Sequence, residues 1–183
     1  MSKALYFIAI IPPSPVFEEV LELKNYFKEK YNSKASLNSP PHITLHMPFA
    51  WKTEKERRLI DGLEKFTEQY SPFDLQLVNF RGFEPRVIYI DVVKTEALQK
   101  LQKELHRYCK KEFNLFNANY KEHAYHPHIT LAFRDLKKHE FVKAWEEFKE
   151  KKFEGGWSIQ TICLLKHDGK KWDVLKDFKL TRR

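Results

Sequence analysis

Glycine is scarce in this chain, with five among 183 residues, and no Gly-rich loop follows any apolar run. That absence excludes the backbone cradles with which P-loop and dinucleotide-binding proteins hold phosphates. Cysteine is scarcer still: Cys109 and Cys163 are too few for a disulfide framework, so a reduced, cytoplasmic setting is expected. No apolar stretch approaches the roughly 20 residues that a membrane-spanning helix needs, and no membrane partner is expected. The first apolar run ends at Pro12-Pro13 without a small-residue cleavage site, and it reads as a buried strand. Low-complexity tails and long linkers are also missing, which leaves one compact domain over 1–183 as the expectation.

What is present is charge and hydrophobic periodicity. Lysine and arginine number 33 against 25 acidic residues, a formal net charge of +8. An excess of that sign favours acidic partners, phosphate among them, yet it equally describes a solvated lysine-rich surface. Residues 4–11 predict a strand, and Ser14 or Pro15 opens a helix to about Tyr31 with Val16, Val20, Leu23 and Phe27 on one face. A short strand at HITLHMPF, a helix over about 53–69 and a strand at 73–80 complete a first half. The second half begins at Arg86 with VIYIDVV, then a helix at about 95–112, HITLAF at 128–133, a helix near 137–151 and a strand at 157–165. His167-Asp168-Gly169 predicts a hairpin into a last strand near 171–180.

Both halves therefore run strand, helix, HITL strand, helix, strand, an internal repeat displaced by 86 residues with halves at about 1–84 and 85–183. A doubly wound parallel sheet is the competing architecture. The missing glycine loops and the terminal hairpin favour an α+β fold of two similar lobes instead.

The pentapeptide PHITL occurs at 41–45 and again at 127–131. Each copy enters a strand from a proline, which keeps the preceding residue extended. Alternation along a strand puts His42 with Thr44 on one face and Ile43 with Leu45 on the other, and likewise His128 with Thr130 and Ile129 with Leu131. If the polar faces meet about a pseudo-twofold axis, two imidazoles and two hydroxyls converge on one cleft. One imidazole can then deprotonate an attacking water while the other protonates the departing oxygen, since histidine's ordinary pKa near 6.5 makes both forms accessible. The hydroxyls of Thr44 and Thr130 can donate to phosphoryl oxygens as charge builds there. No cofactor and no metal are needed.

Paired HxTL motifs some 80 to 90 residues apart in a small α+β chain resemble the two-histidine (2H) phosphoesterase superfamily, which includes 2'-5' RNA ligase and cyclic phosphodiesterase proteins. The resemblance implies a bilobal, pseudo-twofold fold with antiparallel-rich sheets lining a central cleft. It implies that His42 and His128 are catalytic, that Thr44 and Thr130 bind phosphate, and that the substrate is a nucleotide or RNA terminus bearing a 2',3'-cyclic phosphate or a 2'-5' linkage. It further implies that the phosphate stays on the 2' oxygen, with His42 as the acid at the leaving 3' oxygen and His128 as the base. Some relatives carry an arginine one residue beyond the second HxTL; that place is Phe133 here, and Arg134 follows it.

Other residues have weaker signals. His46 falls on the His42 face by simple alternation, but its counterpart in the repeat is Ala132. His123, His126 and His128, with His42 and His46, could be read as a zinc site, although cysteine or carboxylate ligands at zinc spacing are lacking. Arg81, Arg86, Lys121 and Arg134 could hold phosphates, and Tyr125 could stack a base. Three functions are thus open: a metal-independent phosphodiesterase acting as a monomer, a non-catalytic RNA-binding protein using the same cleft, and a zinc-dependent hydrolase.

Overall fold

The computed structural model describes residues 2–116 and 124–182. In chain order the elements are β1 (Lys3–Ile10), α1 (Val16–Tyr31), β2 (Ile43–Lys52), α2 (Glu56–Thr67), β3 (Phe73–Phe83), β4 (Val87–Val92) and α3 (Glu96–Phe113). They continue with β5 (His128–Ala132), α4 (Lys138–Phe148), β6 (Glu154–Ile159), β7 (Thr161–His167) and β8 (Trp172–Lys179). A short 3-10 helix at Ala35–Asn38 lies between α1 and β2.

Two of the helices end alike. α1 ends on Asn32 and α3 on Asn114, both in the left-handed conformation at φ 51° and 57°, where asparagine is among the better-tolerated side chains. In the hairpin between β7 and β8, Gly169 takes φ 103° and Asp168 Oδ1 accepts the backbone N–H groups of Lys170 and Lys171 at 2.7 and 2.8 Å. Only glycine adopts that φ without steric cost, so Asp-Gly is the signal that places the turn.

The strands form one sheet in the order β6-β3-β4-β5-β2-β1-β7-β8, and every pairing is antiparallel. The two expected sheets are the halves of this one sheet. They join through the single residue pair Ile43 and Ile129, one from each HITL motif. The halves of the sheet are not the halves of the sequence: β7 and β8 return to pair alongside β1, whereas β3 pairs with β4. Helices exchange in the same way, α1 packing on β5 and α3 on β2.

One expected element is corrected. The run over 157–165 is not a single strand, because β6 ends at Ile159 on one side of the sheet and β7 begins at Thr161 on the other. The carbonyl of Gln160 instead accepts the N–H of Leu180 at 2.9 Å. Continuous apolarity across the break reflects burial in both halves, which periodicity by itself does not separate.

The main core lies between the sheet and the helices. Ile43, Leu45, Ile129 and Leu131 are all fully buried in it, which at about 1.5–3 kcal/mol per side chain holds the two motif strands in register. A slip of one residue would move all four into the cleft and both histidines into the core. A smaller apolar cluster of Phe7, Ala9, Cys163 and Leu165 covers the opposite face, so β1 is apolar from Tyr6 to Ile10, where it is buried on both sides.

A candidate active site between two HITL strands

Alternation on β2 and β5 turns His42, Thr44, His128 and Thr130 away from the core into one cleft of about 580 Å³. The antiparallel register about Ile43 and Ile129 sets His42 toward Thr130 and Thr44 toward His128. All four are half-buried.

The two imidazoles are held alike. His42 Nδ1–H donates to the carbonyl of Pro40, and His128 Nδ1–H to the carbonyl of His126, each at 2.7 Å and each two residues back along the chain. A carbonyl only accepts, so the proton of the neutral ring sits on Nδ1 and the lone pair on Nε2 is left for chemistry. An aromatic ring supports each imidazole: Phe7 lies 4.9 Å from His42 between centroids, and Tyr89 5.0 Å from His128.

The electrostatics of the two sides differ. Burial pushes the pKa of His42 down to about 4, helped by the positive charge of Lys24 and by His128. Burial also lowers that of His128; the His126 carbonyl that accepts its Nδ1–H raises it, the His126 imidazole lowers it, and the Asp91 carboxylate raises it. Asp91 is anchored on that side by Arg81 Nε at 2.8 Å and stands 3.2 Å from His126 Nε2. Lys24 and His128 both oppose a charge on His42, whereas at His128 the opposition of His126 is met in part by Asp91.

The other sequence-derived residues separate. Arg134 lines the cleft, exposed at φ 58° with its guanidinium 4.8 Å from the Phe133 ring centroid. Tyr125 also lines it, and its hydroxyl donates to the Thr44 carbonyl at 2.9 Å, tying the approach to the second motif to the strand of the first. Arg81 lines a neighbouring cavity instead, paired with Asp91, and Arg86 is exposed outside the cleft lining. Lys121 and His123 lie outside the described residues.

His46 does not share the face of His42. Ala9 pairs with Thr44 and Ile8 with His46, so two residues of β2 span one step of β1, a bulge that reverses the alternation. His46 is fully buried against His106 of α3, with ring centroids 4.7 Å apart. The proposed five-histidine zinc set is thereby split, and no group of three or more His, Cys, Asp or Glu residues among the described residues is arranged to hold a metal.

Sequence reasoning missed Lys24. It occupies a core position on the α1 stripe of Val16, Val20, Phe27 and Tyr31, is 1% exposed, and lines the cleft. A charged residue in register with an apolar stripe is the signal that could have found it.

The Tyr125 bond yields a test. Tyr125→Phe keeps the ring and loses one neutral hydrogen bond, about 0.5–1.5 kcal/mol, so a loss of about 2- to 10-fold in kcat is expected as Thr44 loosens. Unchanged kcat in Tyr125→Phe, with loss in Tyr125→Ala, would assign the residue to ring stacking alone.

The family model described as the 2'-5' RNA ligase superfamily matches residues 12–171. A protein of Geobacillus kaustophilus named as a candidate phosphoesterase is 30% identical over 79% of this chain and 77% of its own length. Another from Geobacillus sp. strain WCH70 is 26% identical over 94% of both chains. Among solved structures, E. coli LigT complexed with 3'-AMP superposes with a TM-score of 0.72 at 20% identity, covering 99% of this chain and 100% of that one. TT0787 of Thermus thermophilus gives 0.69 at 18% identity, covering 98% and 99%. The fold agrees with these structures over nearly the whole length, and the match to the family spans both HITL strands: the chain belongs to the 2'-5' RNA ligase superfamily of two-histidine phosphoesterases.

Proposed function

We propose that this protein is a metal-independent phosphodiesterase that opens a 2',3'-cyclic phosphate or cleaves a 2'-5' linkage at a nucleotide or RNA terminus. The observation that carries the reading is the matched pair of imidazoles, each with Nδ1–H fixed to a carbonyl and Nε2 left for the cleft they share with Thr44 and Thr130. In-line displacement at phosphorus needs a base for the water and an acid for the leaving oxygen on opposite sides, and two imidazoles supply both. Nucleotide chemistry is supported by E. coli LigT, whose structures include complexes with 3'-AMP, ATP, NADP+ and phosphate.

Local charge favours His42 as the base and His128 as the acid. Lys24 opposes a second positive charge at His42, whereas at His128 the opposing charge of His126 is offset in part by the Asp91 carboxylate. This order is the reverse of the one implied by the family resemblance. For an unchanged substrate pose, it makes the 2' oxygen the leaving group and a 3'-phosphate the main product. Chromatographic identification of the product from a 2',3'-cyclic nucleotide separates the two orders.

A panel of 2',3'-cyclic mononucleotides, 2'-5' linked oligoadenylate and RNA ending in a cyclic phosphate tests the reading, assayed with and without chelator. Turnover of at least one, undiminished by chelator, is expected. Binding of RNA with no hydrolysis would replace catalysis by recognition, and loss of activity in chelator would return the zinc hydrolase.

The pH profile of kcat/KM should be a bell displaced to the acid side. Its rising limb follows deprotonation of His42, lowered to about 4, and its falling limb follows deprotonation of His128, lowered from 6.5. A bound phosphate anion favours both imidazolium forms, so the bell of kcat should lie at higher pH than that of kcat/KM. A flat profile from pH 5 to 9 with chemistry rate-limiting would contradict acid–base division.

A further inference from the structure

Lys24 is 1% exposed, and burial lowers its pKa to about 7. No carboxylate pairs with it among the described residues. Its Nζ donates to the carbonyls of Ser36 and Ser39 at 2.9 and 3.0 Å, which occupies two of three N–H donors. Both acceptors are neutral. The turn they belong to needs donors rather than charge, and burying an uncompensated ammonium costs several kcal/mol. Beside it, Ser36 is 2% exposed and its buried hydroxyl has no hydrogen-bond partner among the described residues. Lys24 and Ser36 both line the cleft that holds His42 and Thr44.

We propose that Lys24 and Ser36 form a phosphate-binding subsite on the His42 side of the cleft, taking an oxygen of the substrate's phosphate group; this rests on the phosphodiesterase reading above. A buried cation without its counter-charge and an orphaned hydroxyl are the complement of an anionic oxygen acceptor, and the ammonium of Lys24 repels a metal ion. Phosphate at this place supplies the negative charge that Lys24 lacks and satisfies the hydroxyl of Ser36. Lys24 thus serves the reaction twice, attracting the anion and keeping His42 neutral before it arrives.

The subsite predicts a pH signature of binding. A bound anion raises the pKa of Lys24 above its value of about 7 in the empty cleft. Affinity is then fully present below pH 7 and is lost as pH rises through the raised value. The other titratable or charged groups lining this cleft are His42 just before β2, Tyr125 and His126 before β5, His128 on β5, Arg134 beyond it and His167 at the end of β7, with Asp135 next to Arg134. Asp135 is engaged by Ser33 Oγ and the N–H groups of Lys34 and Ala35, at 2.8 to 2.9 Å.

Calorimetric titration with inorganic phosphate and with adenosine 2'-monophosphate tests the subsite on the full chain and on the Lys24→Met and Ser36→Ala variants. Charge-assisted hydrogen bonds lead us to expect affinity for both ligands to fall about 10- to 100-fold in Lys24→Met and about 2- to 10-fold in Ser36→Ala. The decline of affinity from pH 7 to 9 should vanish in Lys24→Met, and NMR of the His42 imidazole should show its pKa raised. A folded Lys24→Met with unchanged affinity and unchanged pH slope would overturn the subsite and leave Lys24 as a clamp on the Ser36 to Ser39 turn. Should Lys24→Met fail to fold, Ser36→Ala carries the test, and full affinity there overturns the proposal. Wild-type hydrolysis that depends on both histidines alongside an unaffected Lys24→Met would sink the subsite alone. No hydrolysis of any phosphodiester by the wild type would sink the reading beneath it.

Discussion

His42→Ala and His128→Ala are each expected to lower kcat by about 10²- to 10⁴-fold, the usual worth of a positioned general acid or base. Both side chains are half-buried on a strand face turned from the main core, so the circular dichroism spectrum should be unchanged and the melting temperature little altered. The double variant should lose little more than either single one, because acid and base act in one displacement and the second has little to assist once the first is gone. Either single variant retaining near wild-type turnover would dissolve the pair as the catalytic unit. The fixed Nδ1–H bonds explain why asparagine would not substitute well: it lacks a titrating nitrogen where Nε2 stands.

The second large effect is expected at the threonines. Replacing Thr44 or Thr130 by valine keeps the β-branched shape and deletes only the hydroxyl, so folding should be unaffected. If each hydroxyl donates to an oxygen that gains charge in the transition state, its removal lowers kcat by about 10²-fold, with a much smaller change in KM. Steady-state kinetics of both variants on the best substrate of the panel separate the cases. A rise in KM alone would make the threonines ground-state binders and remove the electrostatic assignment. The register, His42 toward Thr130 and Thr44 toward His128, predicts that the two valine variants have effects of similar size.

The motif strands were legible because two periodicities coincide in them. A five-residue word repeated at 86 residues is improbable by chance, and the period of two in HITL assigns core and cleft faces without further information. The helices were legible for the same reason, with α1 and α3 found to within about two residues of their ends. His46 was misplaced because alternation holds only while pairing is regular. The bulge opposite Ile8 and Ala9 depends on the partner strand, and nothing within β2 announces it. The split at Gln160 was hidden because both flanking strands are apolar and the change of sheet half occurs in a single residue.

The sequence by itself determined the order of the elements up to β6, the α+β class, the hairpin at Asp168-Gly169 and the four polar residues of the two motifs. Each of these follows from local rules, spacing, turn chemistry and strand period, that act within a few residues. Tertiary structure alone decided that the sheet halves exchange strands and helices, that β2 and β5 meet through one pair of isoleucines, and that Lys24 enters the cleft from a helix the motifs do not mention. It also decided the unequal electrostatic surroundings of the two histidines. Lys24 and Asp91 lie far from their imidazoles in the chain, and through-space electrostatics depends on distances that only the folded chain defines.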